Sequence, residues 1–77
     1  MRMSEMQLYQ KGRVKEIDMQ GSMRRRLQDL GIIRQAEVRC EMFAPSKDPI
    51  AFLVYDCVLA IRRKDADRIE IDVIENE

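Results

Sequence analysis

Apolar residues recur along this chain mostly at every second position, and in one stretch at every third or fourth. In "VRCEMF" the alternation puts Val38, Cys40 and Met42 on one face and Arg39 and Glu41 on the other, as a half-buried strand requires. "IEIDVI" repeats the pattern, with Ile69, Ile71 and Val73 inward. "PIAFLVY" and "CVLAI" are short apolar runs parted by Asp56, which predicts a tight hairpin. In "GRVKEIDM" the spacing of Val14 and Ile17 breaks strict alternation, so this strand is expected to carry a bulge.

The helical exception is residues 22–30. Ser22 stands in a capping position, and Gly31 offers the left-handed conformation that ends a helix. Met23, Leu27 and Leu30 fall within about 60° of one another at the 3.6-residue period, which predicts a buried stripe. A second helical turn is expected at "KDADR", around Ala66. Short strands broken by turns, with one short helix inserted after the first, predict a mainly β fold, a small antiparallel barrel.

Composition narrows what such a barrel can do. Seventy-seven residues with no Pro/Gly/Ser-rich break fit one domain spanning 1–77. A chain of this size buries only about 60% of its unfolded surface, so a pocket walled on all sides is hard to build, which argues against an enzyme. Fourteen basic side chains match fourteen acidic ones. Their distribution is uneven, with eight basic and four acidic through residue 35 and six and ten after it. The longest apolar run is the six residues of "IAFLVY", against the roughly 20 a bilayer needs. "MRMSEMQ" has no apolar leader stretch, so a cytoplasmic protein without membrane insertion is expected.

The chain contains no histidine, which excludes a histidine-based triad and an imidazole-rich iron site. Cys40 and Cys57 lack a neighbouring cysteine at CxxC spacing and keep phase with apolar neighbours, so both are expected as reduced, buried thiols. Asp65, Asp67, Glu70, Asp72, Glu75 and Glu77 fall at outward strand positions, in a turn or near the end of the chain. Neither a metal site nor a cofactor is expected from them.

Three arginines, Arg24, Arg25 and Arg26, frame the apolar stripe of the helix at its positive dipole end, where each exposed cation costs about 0.3–1 kcal/mol. Arg25 and Asp29 are spaced for a surface pair. Three readings are open. The arginines are a solvated rim whose stems cover the core edge, a patch for an acidic protein or lipid surface, or a nucleic-acid contact. Few aromatics and no accompanying motif argue against specific nucleic-acid binding. In "FAPSKDPI" two prolines bracket Ser46, Lys47 and Asp48, which predicts a semi-rigid projecting turn, structural or in contact with a partner. Five of six methionines precede residue 24, as core filler or as an adaptable apolar face.

Taken in order, Leu8, Gly12, Gly21, "RRRLQDLGI", "AEV", "APSKDPI" and "AIRRKDADRIEIDV" resemble the FeoA family, small cytosolic proteins that accompany the bacterial FeoB ferrous-iron transporter. The resemblance runs to about Val73. It implies an SH3-like barrel and a non-catalytic accessory role, docking on the cytosolic part of the transporter. Arg24, Arg25, Arg26, Arg34, Ser46, Lys47 and Asp48 are the candidate contact residues. Similar domains form the C-terminal part of metal-dependent transcriptional repressors, so a regulatory or nucleic-acid-associated small barrel is the alternative, although those proteins carry a separate DNA-binding domain. The chain departs from the family at Arg34 and Gln35, where Pro-Gly is usual, and at Asp56, where Gly is usual. A glutamine held in the left-handed region would cost about 1–2 kcal/mol.

Overall fold

Alternation becomes strands and its local failures become bulges. The computed structural model describes residues 1–74. A 3-10 turn at Met3–Glu5 precedes β1 (Lys11–Ile17), α1 (Gly21–Asp29), β2 (Glu37–Phe43), β3 (Ile50–Val54), β4 (Cys57–Ile61), the single helical turn α2 (Arg63–Ala66) and β5 (Ile69–Ile74). The strands form one antiparallel sheet in the order β4-β3-β2-β1-β5.

The bulge expected in β1 lies between Val14 and Glu16, where the pairing with β5 slips. The extra residue restores the phase, so Val14 and Ile17 are both buried despite their odd spacing. β2 carries a second slip, between Cys40 and Met42. It corrects the inward reading of Met42, which is 61% exposed, while Val38 and Cys40 are buried and Phe43 packs against the core. A one-residue slip sends every later side chain to the other face. In β5, Ile69 and Ile71 are buried but Val73 is not, contrary to the alternation. Val73 sits near the strand end opposite Gly12, which has no side chain to cover it. Gly12 itself is bare for a reason, since a Cβ there would lie 2.6 Å from Ile71 Cδ1.

The hairpin joins β3 to β4 through Tyr55 and Asp56, with Val54 opposite Cys57. The positive φ falls on Tyr55, at 55°, rather than on Asp56. Cys57 is exposed at the hairpin tip, which corrects its assignment to the core; Leu59 is half-buried and Ile61 buried as β4 runs inward. Phe52, Ile50, Val54, Val38, Ile69 and Ile71 form the centre of the core.

Helix α1 is preceded by Gln20 in extended conformation, so Ser22 lies inside the first turn and is not the cap. Gly31, at φ 101°, ends the helix as expected, with the Ile32 amide donating to the Leu27 carbonyl at 2.9 Å. The buried stripe shrinks to Leu27, because Met23 and Leu30 are 40% and 42% exposed. No described element covers them, and a hollow lies beside the helix instead. Gln35 takes a φ of 76°, the strained conformation its replacement of glycine implied.

The N-terminal segment is an element that periodicity does not reveal. Met3 and Met6 are buried, and the Ser4 hydroxyl donates to the Asp67 carboxylate. Arg2 forms an isolated backbone bridge with Glu70, and the Ile71 amide donates to the Met1 carbonyl at 2.8 Å, so the outer edge of β5 is covered at those two residues. The opposite edge, β4, has no such cover. Among the described residues, no backbone hydrogen bond from outside the sheet reaches Cys57–Ile61.

A candidate partner-binding groove

Because α1 touches the core through Leu27 alone among its apolar side chains, its flank stands off from the corner where β4 turns into α2. The hollow between them has a volume of about 740 Å³. Met19, Met23, Leu27, Leu30 and Ile61 give it an apolar floor, and Ala60 of β4 opens into it. Helical spacing explains the near side, since positions 23, 27 and 30 share one face. Arg26, Arg62, Lys64 and Arg68 stand around it against a single acid among the described residues, Asp65. Among the described residues none of these four cations forms an ion pair, so their charge is available to a ligand.

The residues nominated by sequence separate. Arg24 is structural: its guanidinium donates to the carbonyls of Ile17 at 2.8 Å and Met19 at 3.1 Å, tying α1 to the end of β1. Arg25 is exposed, and among the described residues it makes no ion pair with Asp29. Arg26 reaches the groove. Arg34 holds both carboxylate oxygens of Glu16 at 2.8 Å on the surface. That hydrogen bond holds the Glu16 carboxyl below its usual range and raises the Arg34 guanidinium above its own.

The Pro-bracketed loop is anchored, in keeping with a semi-rigid turn. The Ser46 hydroxyl donates to the Asp48 carbonyl at 2.9 Å, and the Asp48 carboxylate accepts the Arg63 amide at 2.9 Å. The Arg63 guanidinium donates to the carbonyls of Lys47 at 2.9 Å and Ser4 at 3.1 Å, lashing loop, α2 and N-terminal turn together. Of the seven nominated residues only Arg26 lines the groove. Arg62, Lys64 and Arg68 are the ones sequence reasoning does not reach, although the basic character of "AIRRKDADR" is visible in the chain.

Among the described residues no three Cys, Asp or Glu side chains gather in a way that could hold a metal ion. Glu75 and Glu77 lie outside those residues. Cys40 is buried, and that burial pushes its thiol up, away from the reactive thiolate. No described helix is long and apolar enough to cross a membrane.

A five-stranded antiparallel fold with one full helix and a basic, apolar-floored groove defines a small SH3-like domain. The chain belongs to the FeoA family, whose domain model matches residues 1–73. It is similar to the FeoA protein from Chlorobium tepidum, with 31% identity and a TM-score of 0.93 over 100% of this chain and 73% of that one. It is also similar to Stenotrophomonas maltophilia FeoA, with 29% identity and a TM-score of 0.80 over 94% of this chain and 89% of that one. That structure contains zinc, and the protein is named an SH3 domain protein and a candidate activating factor of bacterial ferrous iron transport. A Porphyromonas gingivalis protein, a fusion of Fe(2+) transport protein A with the Fe(2+) transporter FeoB, is 26% identical over 76 residues. The match takes in 99% of this chain and 9% of the fusion protein's length. FeoA domains are thereby linked to ferrous iron transport and, in that relative, joined to the transporter itself.

Proposed function

We propose that this chain is a non-catalytic accessory protein of bacterial ferrous iron transport, acting in the cytoplasm by docking on the cytosolic part of a FeoB-like transporter. The observation that carries the reading is the fusion in Porphyromonas gingivalis, where a domain like this one shares a polypeptide with the transporter. Covalent linkage holds two modules at an effective concentration of about millimolar, so a separate chain doing the same work needs a docking surface of its own. The groove beside α1, with Arg26 on its rim, supports such a surface. Arg25, Arg34, Ser46, Lys47 and Asp48 extend the proposed contact, and Arg24 contributes by fixing the angle of the helix.

The test is ferrous iron uptake by cells carrying the transporter with and without this chain, alongside crosslinking of the chain to the transporter's cytosolic domain. Uptake is expected to fall when the chain is removed, and a crosslink to that domain is expected. Uptake indifferent to the chain, together with no crosslink, defeats the proposal.

A further inference from the structure

Two open features meet at one corner of the molecule. The groove reaches Ala60 and Ile61 of β4, and among the described residues the outer edge of β4 has no neighbouring strand. In a hairpin closed by a two-residue turn the flanking pair exchanges both hydrogen bonds, and bonded and non-bonded pairs alternate from there. Val54 and Cys57 are the flanking pair, so Leu53–Val58 and Ala51–Ala60 are non-bonded pairs. The N–H and C=O groups of Val58 and Ala60 therefore point away from β3, toward the open side. Val58 is also 60% exposed.

An open edge accepts an added strand: main-chain hydrogen bonds supply affinity, and the flanking surface selects side chains. Here, among the described residues, the flanking surface is an apolar floor bordered by Arg26, Arg62, Lys64 and Arg68, none of them ion-paired, against Asp65 alone. That charge balance selects carboxylates, and the floor selects apolar side chains. We infer that the β4 edge and the adjoining groove bind an extended acidic segment of a partner protein, with apolar residues interleaved among its Asp and Glu, by strand addition to β4.

The five residues of β4 accommodate a segment about 17 Å long. A basic rim alone would also suit nucleic acid or anionic lipid. Two observations favour a peptide. The outward amides and carbonyls of Val58 and Ala60 are matched by another backbone, and no aromatic side chain lines the groove to stack a base. The inference concerns how a segment is held and stands whether or not the transporter carries it.

To test it, random nonapeptides displayed on phage are selected against the full chain. An enriched peptide is then made with a fluorophore, its affinity read by anisotropy and its site mapped by backbone amide shifts. The enriched peptides are expected to carry Asp or Glu among apolar residues and to shift the amides of Val58, Ala60 and α1. Arg62→Glu combined with Lys64→Glu is expected to weaken binding by about tenfold or more. Ala60→Pro removes an outward N–H without touching the β3 ladder and is expected to weaken it by about tenfold. A peptide N-methylated on the edge facing β4 gives the same information without altering the protein, and loses binding. No enrichment, enrichment of peptides without acids, indifference to the charge reversal or to N-methylation, or shifts confined to other elements overturns the inference. So does preference of the groove for duplex DNA or phosphatidylglycerol vesicles in place of any peptide.

Discussion

Replacing Arg24 with alanine takes from the carbonyls of Ile17 and Met19 the guanidinium that bonds them at 2.8 and 3.1 Å. A hydrogen bond to a charged group is worth about 1.5–3 kcal/mol, and a buried acceptor left alone costs about 1–3 kcal/mol. Arg24 is only partly buried, so water takes up part of the lost bonding, and removing both bonds is expected to cost about 1–2 kcal/mol in all. For a chain of 77 residues the unfolding entropy is about 160 cal/mol/K, which turns that loss into a fall in Tm of about 6–12 °C. Arg25 makes no ion pair among the described residues and sits in the same unfavourable dipole field. Arg25→Ala is therefore expected within about 0.5 kcal/mol of the parent. Thermal and urea unfolding followed by far-UV circular dichroism compares the two directly. Equal stability of the two variants refutes the reasoning, because the carbonyl bonds would then carry nothing and the arginine run would be one solvated group.

At the helix exit, Gln35→Gly removes strain at a φ of 76° and is expected to stabilise by up to about 1 kcal/mol, after glycine's added chain entropy is subtracted. Gly31→Ala, at a φ of 101° and with the Tyr55 ring 3.0 Å from the new methyl, is expected to destabilise by about 1–2 kcal/mol in urea. The Glu16 carboxyl is held below its usual range by Arg34, so that pair stabilises the fold above the unfolded value near 4.5 and is lost as pH falls through the lower folded value. Arg34→Ala is expected to return the Glu16 midpoint to the ordinary range, read by carboxyl-carbon NMR titration, and to leave Glu41, held down by Arg39, unchanged. A thiol reagent is expected to modify Cys57 in the native protein and Cys40 only on unfolding, since the first is exposed and the second is buried with a raised thiol pKa. Two equivalents reacting at equal rates without denaturant would contradict the burial of Cys40.

Where the sequence carried its own local signal, the fold was legible. The odd spacing of Val14 and Ile17 marked the β1 bulge, Asp56 between two apolar runs marked the hairpin, and Gly31 marked the helix end. What escaped were properties of pairs distant in sequence. The slip at Cys40 and Met42 is a matter of register with β3, and nothing within "VRCEMF" announces it. Met23 and Leu30 have the spacing of core residues, yet exposure depends on what stands opposite, and no described element covers them. The cover that Met1 and Arg2 give β5 rests on partners some 70 residues away. The candidate site was half legible for the same reason: Arg26 announced one bank of the groove, and the other bank required the fold to bring α2 alongside α1.

The N-terminal residues that lie along β5 set a limit on assembly. A sheet with two bare margins can be extended indefinitely, copy after copy, into a fibre. With Met1 and Arg2 lying against Glu70 and Ile71, a second copy cannot lay its β4 along that stretch of β5. A second copy meeting the first edge to edge at β4 would form a closed pair, each copy turning its β5 side outward. The fold can thus keep one sticky side for recognition without the polymerisation that a second would invite.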